Sequence, residues 1–167
     1  MGRRIDLLMV FIFTVGTLAS GTVAPEDAWE QYTDKTYQVT LRYPRGWKEN
    51  PHYGSTRFEG QSGFFMLLAS EGDSPEQVCR GAAEHKLQPY GSRPEVRPMK
   101  VQGQRACMVW PSNDQGAPWD AQIVVEYPKP MKIDGDSYGF LVLDADKDHI
   151  LQIVRTLKFI SFSDKKQ

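Results

Sequence analysis

Large apolar and polar side chains alternate from residue 37 to residue 43, with Tyr37, Val39, Leu41 and Tyr43 on one face and Gln38, Thr40 and Arg42 on the other. A period of two predicts a half-buried strand, which Pro44-Arg45-Gly46 ends with turn chemistry. A short strand is expected over 55–59 and a strongly apolar one over 63–70, joined as a hairpin by Gly60-Gln61-Ser62-Gly63. Similar patterning places strands at 95–99, 104–110, 119–127 and 137–143. Residues 111–118 lie between two of these as a loop, and Pro128-Lys129-Pro130 breaks the strand before it.

The helical period occurs twice. Ser74, Pro75 and Gln77 stand as N-cap, first helical residue and third residue of a capping box. Val78, Ala82, Ala83 and Leu87, with Cys79 beside them, form an apolar stripe that is expected to run to Pro89-Tyr90-Gly91. A second helix is expected from about 147 to 157, because Ile150, Ile153, Val154 and Leu157 fall at i, i+3, i+4 and i+7. Asp144 or Asp146 would cap it. Strands in hairpin-like runs with only two helices between them predict an α+β fold. Its sheet would be mostly antiparallel, of about six to seven strands, covered by two main helices. No interior linker interrupts the pattern, so one domain is expected over 25–160, with a polar tail over 161–167.

The first 24 residues have a different character. Arg3 and Arg4 precede an apolar run from residue 7 to residue 15 that only Thr14 interrupts, and Gly16, Ala19, Ser20, Gly21 and Ala24 follow. A charged start, a short apolar stretch and a small-residue exit are the parts of a secretory signal. Cleavage after Ala19 or after Ala24 fits, although Pro25 disfavours the second. The competing reading is an uncleaved anchor. The apolar stretch is shorter than the roughly 20 residues a spanning helix needs, and no cysteine near the exit offers a bacterial lipid anchor.

Composition is that of an ordinary globular chain, with 40% hydrophobic and 25% charged residues. The formal net charge of −1 becomes about −2 once Arg3, Arg4 and Asp6 are removed. Such near-neutrality gives no general pull towards nucleic acid or anionic membrane. The chain has two cysteines, Cys79 on the first predicted helix and Cys107 on a predicted strand. In an oxidising compartment they suggest one disulfide stapling helix to sheet. The alternative is two buried free thiols acting as small apolar side chains.

The run from Tyr37 to Trp47, closing in Tyr43-Pro44-Arg45-Gly46-Trp47, resembles the opening strand and Tyr-Pro-x-Gly-Trp corner of PsbP-like domains. The order of the later elements agrees with that family's α/β/α sandwich. The resemblance implies a binding or accessory role on an extracytoplasmic face and transfers no catalytic residue. No thylakoid-specific feature accompanies it.

Reactive motifs are weak. Gly60-Gln61-Ser62-Gly63 lacks the spacing of a nucleophile elbow, since Phe64 stands where the second glycine belongs. The three histidines, His52, His85 and His149, have no local Ser or Cys partner, and the latter two are expected to face solvent. Asp144, Asp146 and Asp148 begin like a calcium loop, but His149 replaces the glycine at position 6 and Arg155 the acid at position 12. No metal site and no cofactor is expected.

Aromatics offer more. Trp47, Tyr90, Trp110 and Trp119 sit at strand ends or beside Gly or Pro corners, and Trp110 and Trp119 bracket a polar loop containing Asn113 and Asp114. That loop is either a binding rim or a segment held in place by tryptophans packed beneath it. Lys86, Arg93, Arg97, Lys100 and Arg105 read as a solvated basic face. The expected role is an exported, non-enzymatic accessory module that binds a protein at the cell surface or envelope. Trp110, Asn113, Asp114, Trp119, Trp47 and Tyr90 are the candidate contacts. The alternatives are a small secreted hydrolase built around His52 or His85, and a structural envelope or spore-associated protein.

Overall fold

The alternating segment forms strand β2 (Val39–Pro44), and its partner is a strand that alternation had not marked, β1 (Trp29–Asp34). The computed structural model describes residues 28–51, 56–117 and 120–160. The signal-like segment, His52, Trp119 and the polar tail lie outside the described residues. After β2 come β3 (Lys48–Glu49), β4 (Thr56–Gly60), β5 (Gly63–Ser70), α1 (Pro75–Ala83), β6 (Glu95–Val101) and β7 (Gln104–Trp110). The chain then forms β8 (Asp120–Ile133), β9 (Asp136–Asp146), α2 (Ile150–Thr156) and β10 (Lys158–Phe159). No helix among the described residues is long and apolar enough to cross a membrane.

Seven strands make one antiparallel sheet in the order β3-β4-β5-β9-β8-β7-β6, and β1-β2-β10 make a second, small sheet. The fold is α+β, as the element pattern predicts. Strand β2 departs from a single-sheet arrangement, because Val39, Leu41 and Tyr43 face the large sheet from across the core instead of joining it.

Both faces of the large sheet are covered. Leu141, Leu143 and Ala145 of β9 point inward, into a core shared with β2 and with Ile150, Ile153 and Val154 of α2. Phe140 and Val142, their neighbours in sequence, pack outward with Val124 and Val109 against Cys79 of α1. Double coverage explains why β8 and β9 have continuous apolar runs where a one-sided strand would alternate.

Helix α1 begins as its capping signature predicts. The Ser74 side chain accepts from Gln77 N at 3.1 Å, and Gln77 Oε1 accepts from Asp73 N at 3.2 Å. Ser74→Ala should lower stability by about 1 kcal/mol, read as a shift in urea midpoint at constant slope. The helix ends at Ala83, and Leu87, expected on its stripe, is 84% exposed. Cys79 and Cys107 are joined as a disulfide with Cα atoms 6.4 Å apart, tying α1 to β7.

Two further expectations are corrected. Pro128 and Pro130 do not end β8, which shifts register between Glu126 and Met131 and continues to Ile133. Both prolines fall inside that irregularity, between the Glu126–Phe140 and Met131–Tyr138 pairs, and β7 pairing ends at Val125, so they remove no ladder hydrogen bond. Helix α2 starts at Ile150, later than expected, with His149 as N-cap and no side-chain capping bond. Asp146 shapes the preceding turn by accepting from Asp148 N at 3.1 Å and His149 N at 3.2 Å. Asp144 takes no part in it.

Candidate functional site

Residues directly opposite on antiparallel strands share a face. One such row crosses five strands of the outer face: Arg57 on β4, Met66 on β5, Asp144 on β9, Gln122 on β8 and Val109 on β7. The neighbouring row, Leu68, Val142, Val124 and Cys107, is apolar and lies under α1. The helix is only nine residues long, so the Asp144 row lies past its end. There the α1–β6 connector (84–94) and the 111–117 loop supply the covering side chains.

Those two segments meet the sheet through a polar cluster. Gln122 Nε2 donates to Asp144 Oδ1 at 2.9 Å, and the Tyr90 hydroxyl donates to the same oxygen at 3.4 Å. Gln115 Nε2 donates to the Pro89 carbonyl at 2.6 Å and the Asp120 carbonyl at 3.1 Å. Both amide nitrogens are thereby committed. Gln115 Oε1, Gln122 Oε1 and Asp120 Oδ1 are buried and have no hydrogen-bond partner among the described residues. Burial pushes the Asp120 carboxyl up to about 6, helped by the like charge of Asp146 and opposed by Arg57. It also pushes Asp144 up to about 6, helped by Asp120 and opposed by the Gln122 hydrogen bond. The Tyr90 phenol is raised as well, by burial and then by Asp144.

The loop's outward side forms a shallow groove of about 620 Å³, lined by Arg93, Glu95, Arg97 and residues 110–114. The Arg97 guanidinium stands 5.7 Å from the centre of the half-buried Trp110 ring and pairs with Glu95. Polar groups of the turn satisfy one another. Ser112 Oγ donates to Asp114, Ser92 N donates to the same carboxylate at 3.2 Å, and Ser112 N donates to Tyr90 O at 3.0 Å. The Ser112 and Ser92 hydrogen bonds hold the Asp114 carboxyl far below the usual carboxylate range. Gly91, at φ +85°, is required here, because a Cβ would run into Ser112 Oγ and Asp114 Oδ1.

The expected contact residues therefore divide. Trp110, Asn113 and Asp114 lie together on the groove, and Asn113 and Asp114 are exposed. Tyr90 is buried beneath the loop, at 7% exposure. Trp47 is buried at the same end of the sheet, against Phe65 and His149, and its Nε1 donates to Ser62 Oγ at 3.2 Å.

Among the histidines, His85 is exposed as expected, and its Nδ1 accepts from Leu87 N at 3.2 Å. His149 is not solvent-facing. Its Nδ1 lies 2.6 Å from Asp146 Oδ1, and its ring packs against Trp47 and Trp29. Asp144 and Asp146 do not converge as calcium ligands, since Asp146 is occupied by His149 and by the backbone N–H of Phe64, Asp148 and His149. No group of three or more His, Cys, Asp or Glu among the described residues is placed to hold a metal ion.

Sequence reasoning did not find the Gln115–Asp120–Gln122–Asp144 cluster. Its only signal is that Asp120 and Gln122 alternate with Ala121 and Ile123, the ordinary pattern of a strand with one wet face.

No family model matches the chain, and no curated protein matches it. Among solved structures the chain is similar to cyanobacterial PsbP from Synechocystis, with 11% identity and a TM-score of 0.49. The match covers 86% of this chain and 99% of that one. The α+β architecture itself rests on the element order and sheet registers given above.

Proposed function

We propose that this chain is an exported accessory module that binds a protein partner through the groove bearing Trp110, Asn113 and Asp114. The observation that carries this reading is Arg97 stacked on a half-exposed Trp110 at a groove edge. Tryptophan and arginine dominate the energetics of protein interfaces when they sit on a pre-shaped surface. The internal hydrogen bonds of Ser112, Asp114 and Ser92 supply that shape, so little ordering cost remains for binding. Arg93 and Arg97 stand beside Glu95 and Asp114 in the groove, so its charge pattern fits a partner surface carrying both signs. Buried Trp47 and Tyr90 act in this reading as supports for the end of the sheet, not as contacts.

Export is supported by the signal-like N-terminus and by the disulfide, which persists in oxidising compartments. The mature chain should begin at Ser20 or Pro25. N-terminal sequencing of the protein from culture medium or envelope tests this, and intact Met1 in a membrane fraction would show an anchor instead.

The binding test is affinity capture from the cells that make the protein, comparing wild type, Trp110→Ala and Arg97→Ala. Each variant should weaken capture by roughly 30-fold, the effect of losing one interface hot spot, with unchanged melting. Lys129→Ala, at the opposite end of the sheet, should have no effect. Equal capture by all four proteins would refute the groove as the interface.

A further inference from the structure

We propose that Gln115, Asp120, Gln122, Asp144 and Tyr90 form a proton-binding latch, in which proton uptake by the two carboxyls fastens the 111–117 loop and the 84–94 connector onto the sheet. The latch holds or fails independently of the partner proposed above, because it concerns how the loop is attached and not what the loop binds.

Donors and acceptors in the cluster do not balance. Gln115 spends its amide on Pro89 and Asp120 carbonyls, and Gln122 and Tyr90 both donate to Asp144. Among the described residues three oxygens have no donor: Gln115 Oε1, Gln122 Oε1 and Asp120 Oδ1. Buried polar atoms are normally paired, so each such exception requires an explanation. Ionised carboxylates only accept, whereas a protonated carboxyl supplies an O–H donor. A proton on Asp120 or Asp144 therefore supplies a donor of the kind this acceptor-rich cluster lacks.

The surroundings favour that proton. Arg57 faces the two carboxyls but is already paired with Glu59 at 2.8 Å and lies 4.0 Å over the Phe64 ring. Lys147 lines the adjoining groove with Arg57 and Asp146, and His149 is bonded to Asp146. Asp146 adds a like charge beside Asp120. Tyr90, from the connector, is held neutral. Phe64 and Met66 from β5 and Val109 from β7 bring no ionisable group to this face.

The direction follows from where the proton is held more tightly. Both carboxyls are raised to about 6 in the closed arrangement, against an ordinary value of about 4 once the loop lifts and water enters. A raised carboxyl favours the closed state while protonated and loses that contribution as pH climbs through the raised value. Opening should therefore become about tenfold easier per carboxyl between about pH 5 and about pH 7.5.

Amide hydrogen exchange on the intact protein tests this, expressed as protection factors to remove the intrinsic pH dependence. The reporters are Ser112 N, bonded to Tyr90 O, and Gln115 N, bonded to Ser112 O. Their protection should fall at least tenfold over that pH interval, while that of Ile160 N, bonded to Gln38 O across the molecule, stays level. The Asp120→Asn/Asp144→Asn double variant should flatten the profile. Carbon NMR titration of the wild-type carboxyls needs no variant and should give midpoints near 6. Ordinary midpoints near 4, flat loop protection in the wild type, or an unchanged profile in the double variant would each overturn the latch. So would loop protection that calcium or ammonium chloride restores at the higher pH, since the ligand would then be a cation and not a proton.

Discussion

Replacing Phe65 with alanine should cost about 3–5 kcal/mol, the range for a fully buried phenylalanine. Phe65 has no solvent exposure and lies where the two sheets meet. Its ring stacks on Phe58 at 5.0 Å and 5°, with Tyr43 at 5.4 Å, Tyr32 at 6.3 Å and Trp47 at 6.4 Å. Tyr32 and Tyr43 belong to the small sheet and Phe58 to the large one, so truncation opens a void that neither sheet can close alone. Against a total stability of about 5–15 kcal/mol, the loss should move the urea midpoint strongly while leaving the slope near wild type. A loss below about 1 kcal/mol would mean that the sheets close over the gap.

Removing the Cys79–Cys107 bridge should cost about 3–4 kcal/mol. The two residues are 28 apart in sequence, and the chain-entropy model assigns a closed loop of that size a stabilisation in this range. Both side chains are fully buried, so Cys79→Ala/Cys107→Ala, which leaves no unpaired polar atom, isolates the cross-link from solvation effects. The double variant in buffer and the wild type in reductant should unfold at nearly the same urea concentration. A wild type indifferent to reductant, or two reactive thiols in the unfolded and unreduced protein, would show the bridge absent in solution.

How much of this was legible beforehand depends on how local each cause is. Ser74, Pro75 and Gln77 announce the start of α1 because a cap is made within four residues. Strand β7 matches its expected bounds because Gln104 to Trp110 carries an uninterrupted apolar centre. Strand β1 was missed because Trp29-Glu30-Gln31-Tyr32-Thr33-Asp34 has only two large apolar side chains, and it is a strand because β2 pairs with it along its whole length. The continuation of β8 through Pro128 and Pro130 was also hidden, since both prolines fall in an irregularity between Glu126 and Met131 where no partner needs their N–H.

The candidate site shows the same limit more sharply. Trp110, Asn113 and Asp114 were identifiable as a group because they are adjacent in the chain. Arg97 joins them only through the β6–β7 register, which sets Glu95 opposite Trp110 and Arg97 opposite Met108. Asp120, Gln122 and Asp144 look in sequence like the wet half of two strands. They become an acceptor-rich cluster, with Gln122 buried and both aspartates half-buried, because the nine-residue α1 stops short and two loops cross the face it leaves bare.

Sequence alone therefore determined the class of the fold, the two helices, most of the large sheet and the pair of cysteines, because periodicity and capping are short-range effects. Tertiary structure alone decided that residues 39–44 belong to a second sheet, that Cys79 and Cys107 are bonded, and which polar residues are buried. Each of those outcomes depends on groups far apart in the chain meeting in space. Burial in particular belongs to whatever covers a residue and not to the residue itself.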